Sequence, residues 1–260
     1  MMRALWASAT GMTAQQMNMD NIANNLANVN TTGFKRSQTN FQDLIYDRLK
    51  APGATGDDGT ALPGSVQLGL GTHLVAVNKV YSPGKAQQTG NVYDQWIEGN
   101  GFFQVKKADG TTSYTRDGSF RPNATGKLVT ADGYELVGVN AIDPTASSFS
   151  VSPNGVVSQQ VGSTNTQLGQ IQLYNFANPA GLLSEGRNLM QVSAASGEAV
   201  AGTPGSSGFG TLQQGYLEMS NVEVVQEMVN LIVAQRAYEV NVKAIQASDE
   251  MLQTANNIRR

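Results

Sequence analysis

Apolar positions recur at helical spacing at both ends of the chain and at strand spacing between them. From Arg3 to about Asn30 there is no proline and one glycine, Gly11, while Leu5, Ala9, Met12, Met19, Ile22, Leu26 and Val29 follow one another at steps of three, four or seven. This spacing predicts a long helix, closed at Asn30-Thr31-Thr32-Gly33, where Asn30 or Gly33 can take the left-handed conformation. Amides (Gln15, Gln16, Asn18, Asn21, Asn24, Asn25, Asn28) fill the flanking positions, and only Asp20 is charged between Arg3 and Lys35. A helix with so little charge outside is poorly soluble alone, so we expect it inside an assembly.

The C-terminal stretch predicts a second, longer helix. Ser220-Asn221-Val222-Glu223 has the form of a capping box, and neither glycine nor proline follows it. One apolar seam reads Val224, Met228, Leu231, Gln235, Tyr238, Val242, Ile245, Asp249, Leu252, alternating steps of four and three. A second seam, Val222, Val225, Val229 and Ile232, runs beside it. Two adjacent seams imply that the helix buries more than one face, toward the N-terminal helix and toward other helices. The plainer alternative is a helical bundle within one monomer, against which the intervening residues argue by not looking helical.

Between the ends, short strand-like runs alternate with turn signals. Gly101–Lys106, Thr112–Arg116, Lys127–Thr130, Tyr134–Val139, Phe149–Val151, Val156–Ser158 and Gln170–Tyr174 are punctuated by Asp109-Gly110, Asp117-Gly118, Asp132-Gly133 and Pro153-Asn154-Gly155. The spacing predicts an antiparallel sandwich or barrel. Residues 50 to 72 (Pro52-Gly53, Leu62-Pro63-Gly64, Gly69-Leu70-Gly71) read as an extended arm, and residues 195 to 215 as a return path. The expected fold class is therefore α+β: terminal helices pairing as a coiled coil, a central antiparallel β-rich domain and an extended arm. Three parts are expected: a terminal helical domain of 1–30 plus 220–260, a connector and arm of 31–85 plus 195–219, and a β-rich outer domain of 86–194.

Composition narrows the function more than the pattern does. Charged residues make up 14% of the chain, and the 43 Asn and Gln outnumber the 17 basic and 20 acidic residues together. Neutral, amide-rich surfaces lack the mutual repulsion that keeps copies apart. A net charge of −3 with no basic cluster argues against nucleic acid. No cysteine is present, which removes disulfides and thiolate chemistry, and the single histidine, His73, argues against His-ligated metal and a Ser-His-Asp triad. No apolar run is long enough for membrane insertion. The amide-rich N-terminus also lacks the pattern of a secretory signal, so if the protein leaves the cytoplasm it is expected to use another route.

Candidate chemistry has a structural reading at each position. Gly69-x-Gly71 and Gly208-x-Gly210 lack the Lys-Ser/Thr of a phosphate cradle, and Asp57-Asp58 is too compact for a calcium loop. Asp94, Glu98, Asp109, Asp117, Asp132 and Glu135 could supply a carboxylate pair for glycoside hydrolysis, but most fall in turns, where Asp serves the backbone. The sequons Asn30-Thr31-Thr32 and Asn123-Ala124-Thr125 are too short to be informative. No catalytic, cofactor-binding or metal site is assigned, and no enzyme activity is expected.

Three collinear stretches are more specific. Asn24-Asn25-Leu26-Ala27-Asn28-Val29-Asn30-Thr31-Thr32-Gly33-Phe34-Lys35-Arg36 resembles the N-terminal signature of bacterial flagellar axial proteins, the rod and hook family. Gly99–Val105 and Tyr114–Phe120 resemble that family's β-domain motifs, and Gln235–Asn241 with Asp249–Leu252 its C-terminal run. Length, and the stretch Tyr46–Gly53 through Leu62-Pro63-Gly64, resemble the distal-rod branch; hook and proximal-rod members are the alternative. The remote alternative from another class is a β-domain carbohydrate binder with coiled-coil oligomerisation ends.

The resemblance implies a helical homopolymer, a straight stiff shaft that encloses an export channel and carries motor torque to the hook. Its subunit-packing helices would use Leu5, Met12, Met19, Ile22, Leu26, Val29, Val224, Met228, Leu231, Tyr238, Val242, Ile245 and Leu252. The amides of Asn21, Asn24, Asn25 and Asn28 would bond between neighbours. Phe41, Leu44 and Ile45 resemble the short hydrophobic motif shown to the type III export gate, or an amphipathic turn packed on the core. Tyr46, Pro52, Gly53, Leu62, Pro63 and Gly64 would belong to the rod-straightening arm. The implied partners are further copies, proximal rod and hook proteins at the ends, a rod cap and the surrounding periplasmic and outer-membrane rings. The implied location is the basal body, in the periplasmic space toward the outer membrane, reached through the flagellar type III system without a cleaved signal peptide.

Overall fold

The helical periodicity at the two ends gives α1 (Met2–Ala27) and α2 (Val224–Ile258), and the described residues between them are strand, turn and irregular chain apart from one short 3-10 turn. The structure, a computed structural model, describes residues 2–50 and 65–258. The chain divides into two compact units, one of Met1–Leu26, Ser37–Asn78 and Glu223–Arg260, the other of Ala27–Arg36 and Lys79–Val222.

In the helical unit, α1 packs against a two-stranded ribbon of Ser37–Asp43 and Thr72–Lys79. Asn25 is fully buried and clasps the ribbon's first residue: its Nδ2 donates to the Ser37 carbonyl at 2.8 Å, and its Oδ1 accepts from the Ser37 amide at 2.9 Å. Asn21 donates to the same carbonyl at 2.9 Å, and Thr39 donates to Asn18 at 2.7 Å. The amides that replace charges on α1 thus satisfy the backbone of a strand that has only one pairing partner. At Gly11 the two helices approach so closely that a Cβ would lie 2.9 Å from Asn241 Nδ2.

The arm expected over residues 50 to 72 is paired where it is described. Tyr46–Lys50 runs antiparallel to Val66–Gly69, with Tyr46 opposite Gly69. Pro52, Gly53, Leu62, Pro63 and Gly64 lie outside the described residues.

The β unit is antiparallel, as the turn spacing predicts. Its largest sheet has seven strands in the order Leu183–Gly186, Leu189–Gln191, Thr112–Thr115, Phe103–Lys106, Glu135–Leu136, Leu128–Val129, Arg121–Pro122. A three-stranded sheet, Ser148–Val151, Val156–Val161 and Thr164–Gln170, shares a core with it: Phe103, Val105, Phe120, Leu128, Leu136, Phe149, Val157, Ile171 and Leu173. A smaller aromatic cluster joins Phe102, Tyr114 and Phe176, with Tyr114 and Phe176 edge to face at 5.0 Å.

Three details differ from the sequence reading. Asp117-Gly118 is not a hairpin turn: a Cβ on Gly118 would overlap the Gln95 carbonyl, so this glycine serves close backbone approach. The capping box does not form. Glu223, not Ser220, precedes α2 and its carbonyl accepts from the Glu227 amide, while Ser220 Oγ accepts from Val222 one turn earlier. Residues 195 to 215 are more than a return path: Val200–Gly202 pairs with Leu173–Asn175, Thr211–Gln214 with Gln95–Glu98, and Leu212 is buried in the main core.

Candidate interaction surfaces and the buried ion cluster

The N-terminal motif and the two β-domain motifs that carry the family resemblance meet in the β unit around one carboxylate. The turn after α1 places Gly33 at φ +68, where a Cβ would stand 2.6 Å from the Asp117 amide nitrogen; glycine is required there. The Gly33 amide donates to the Glu218 carbonyl at 2.8 Å, which sends Lys35 inward. Lys35 Nζ donates to Glu218 Oε1 at 2.5 Å and to the Ser82 carbonyl at 2.7 Å. Arg116 reaches Glu218 Oε2 at 3.4 Å and the Gly99 carbonyl at 2.7 Å, and its guanidinium lies 5.4 Å from the Phe102 ring centre. The Gly84 amide completes the shell of Glu218 at 2.8 Å.

All three charged side chains are removed from water. Burial pulls both the Lys35 ammonium and the Arg116 guanidinium below their ordinary ranges, and Glu218 acts in the opposite direction on each. Burial pushes the neighbouring Tyr81 phenol up to about 12, with Arg116 opposing. The group lies away from water within the β unit. Its chemistry is structural: two buried cations held by one anion and by backbone carbonyls. The sequence reading includes Lys35 and Arg116 within motifs but misses Glu218. The available signal was its isolation, since it is the only charged residue between Glu198 and Glu223.

The helices present a different kind of surface. On α2 the buried side runs through Glu227, Ala234 and Ser248, with Leu231, Tyr238, Asn241, Val242, Ile245 and Leu252 half-buried beside them. Roughly the opposite side, at 100° per residue, carries Val225 at 77% exposure, Ile232 at 54%, Val233 at 62%, and Val229 and Val240, also exposed. Val224 and Met228 of the expected first seam are exposed as well. On α1, Ile22 is buried, and Leu5, Met12, Met19 and Leu26 are half-buried. Val29, in the turn that follows, is also half-buried.

The remaining sequence candidates are scattered. Asn21 and Asn25 bond Ser37 within the chain, which differs from the expected bonds between neighbours, and Asn28 Oδ1 accepts from Thr31. Asn24 is exposed on α1. Phe41 is exposed on its ribbon strand, Leu44 is half-buried with its amide on the Gly71 carbonyl, and Ile45 is 82% exposed. Tyr46 is exposed at the mouth of the Tyr46–Lys50 pair, with its phenol raised by Asp43. His73 faces solvent on the ribbon. Asp109 accepts from Thr111 in its turn, and that bond holds its carboxyl low, as sequence reasoning anticipates for turn aspartates. Among the described residues no cluster of acids and histidine is placed to hold a metal, and no helix is long and apolar enough to cross a membrane.

A helical unit with an apolar face of α2 left exposed, and a β-rich unit with a buried structural ion cluster, fit a structural protein that assembles with other chains. Three family models match: a flagella basal body rod protein model over residues 5–35, the flagellar hook protein FlgE/F/G D1 domain over 96–159, and the flagellar basal body rod FlgEFG protein C-terminal over 213–258. The chain is 49% identical over 265 residues to the flagellar basal-body rod protein FlgG of Borreliella burgdorferi, covering all of both chains. It is 42% identical to FlgG of Caulobacter vibrioides over 99% of this chain and all of the relative, and 41% identical to FlgG of Bacillus subtilis over the full length of both. The chain belongs to the FlgG family of flagellar basal-body rod proteins and is a structural subunit of the basal-body rod.

Proposed function

We propose that the protein forms the distal part of the rod as a helical homopolymer, a straight stiff shaft that transmits motor torque to the hook around a central export channel. One observation carries this reading: α2 is apolar on two opposite sides, and one protomer covers only one of them. A contact that joins different faces of identical subunits does not close on itself and grows into a filament. The inner tube would be built from α1 and α2 as a coiled coil, with Leu5, Met12, Met19, Ile22 and Leu26 meeting the half-buried stripe of α2, and Val225, Val229 and Ile232 meeting the next subunit. The division into a helical core of 1–30 plus 220–260, a connector of 31–85 plus 195–219, and an outer domain of 86–194 belongs to the same reading.

Asn24 and Asn28 sit on α1 and in the turn after it, where neighbouring copies would pass. Phe41 and Ile45 are exposed in the folded chain, and as an unfolded segment they would serve the type III export gate. Proximal rod and hook proteins at the ends, a rod cap and the surrounding rings are the partners this position implies. The arm bounded by Tyr46–Lys50 and Val66–Gly69 would brace adjacent subunits and keep the shaft straight.

The test is Ile232→Asp, which leaves the buried stripe of α2 untouched. The variant protomer folds like the wild type by circular dichroism, but it fails to pellet as polymer under conditions where the wild type does, because a charge buried in the contact has no partner. A variant that pellets as the wild type does contradicts the role given to this face.

A further inference from the structure

Between the two units the chain crosses four times, after residues 26, 36, 78 and 222. Three of those crossings leave the β unit from one spot, and a single amide side chain ties them together. Asn221 Oδ1 accepts from the Arg36 amide at 2.7 Å. Asn221 Nδ2 donates to the Val80 carbonyl at 2.8 Å and to Ser82 Oγ at 2.9 Å, with a longer approach to the Ser82 carbonyl at 3.2 Å. The backbone closes the third side, the Val80 amide donating to the Arg36 carbonyl at 2.8 Å. Immediately behind this knot the Lys35–Glu218 pair repeats the connection: Lys35 also bonds the Ser82 carbonyl, Glu218 also bonds the Gly84 amide, and the Met219 amide donates to the Lys85 carbonyl.

We infer that Asn221, backed by Lys35 and Glu218, is a clamp that makes three chain crossings act as one mechanical neck. The inference rests on the torque-transmitting reading above. Force passing covalently between the two units enters the β unit at residues 27, 36, 79 and 222, and the clamp joins the last three. Without the clamp each crossing would be loaded separately and would peel its own strand from the β unit. With it, no crossing yields until several hydrogen bonds and a buried ion pair break together. Asparagine suits the position because one side chain offers both a donor and an acceptor, so it can join a backbone amide to a backbone carbonyl without bringing in a charge. The segment was read from sequence as a capping box; Asn221 lies outside α2 and serves the neck instead.

The experiment is single-molecule stretching of the full chain held at its two ends, which loads the clamp between Arg36 and Asn221. The wild type should release residues 27–222, roughly 650 Å of extended chain, in one event after a long dwell at constant force. Asn221→Ala should shorten that dwell on the order of 100-fold, the effect of losing about two to three hydrogen bonds. Ser82→Ala, which removes only the exposed hydroxyl, should shorten it less, by roughly tenfold at most. Asn165→Ala, at an exposed position of Thr164–Gln170 in the same unit, should leave it unchanged. Dwells equal to the wild type in both Asn221→Ala and Ser82→Ala overturn the clamp. Polymer formation is read separately on the same proteins: Asn221→Ala should assemble as the wild type does. A wild type that never polymerises defeats the rod reading while leaving the stretching result standing.

Discussion

Glu218 holds two cations in a place where water cannot help, and it is the one carboxylate paired with either of them among the described residues. A buried ion pair adds little net stability when intact, because desolvation offsets the attraction, but removing one partner strands the other. Glu218→Gln should therefore cost about 3–5 kcal/mol, measured by denaturant unfolding. Adding Lys35→Met should recover part of that loss, since only Arg116 then remains uncompensated; a double variant less stable than the single one contradicts the arrangement. At this scale the sequence was only half readable. Lys35 and Arg116 sit inside recognisable motifs, but the partner of both lies 183 residues from Lys35, and no local pattern encodes such a distance. Asn25 has the same character. Its composition signal, amides in place of charges, is visible along α1, while its use in clasping Ser37 depends on a strand that the helical period does not announce.

Elements were readable where a local rule decides them. The hairpins at Asp109-Gly110, Asp132-Gly133 and Asn154-Gly155 place their glycines at φ +85, +86 and +82, the conformation such turns demand. The hairpin between Leu183–Gly186 and Leu189–Gln191 turns instead through Arg187 and Asn188 at φ 52 and 59, and an arginine there gives no warning. Thr164–Gln170 is mostly exposed and polar, so it shows no alternation to detect. Gly118 was misread because a glycine needed for close approach looks the same in sequence as one needed for a turn. The two cases separate by mutation. Gly110→Ala meets nothing within 4 Å and should cost about 1–2 kcal/mol for its backbone angle alone. Gly118→Ala drives a methyl into the Gln95 carbonyl, so its loss by thermal unfolding should clearly exceed that of Gly110→Ala; equal losses would restore the turn reading.

For the whole molecule, the informative feature is what one copy leaves unfinished. The β unit buries a continuous core and closes its charges internally, whereas α2 keeps an apolar side uncovered along much of its length. The two-seam pattern announced this surplus in the sequence, although the faces are rotated from those expected. The first seam drifts from the exposed Val224 and Met228 to the half-buried Ile245 and Leu252, because steps averaging 3.5 residues slip around a helix of 3.6. A surface that is neutral, amide-rich and apolar in stripes is suited to stacking against copies of itself, and membership of the rod family gives that stacking a setting.

The most direct measurement is negative-stain electron microscopy of the purified full-length protein at high concentration. Straight tubes of uniform diameter are expected. Curved or supercoiled tubes would place the protein with bending members of the family, and a field of dispersed particles at every concentration would contradict the claim that the helices are completed by neighbouring copies.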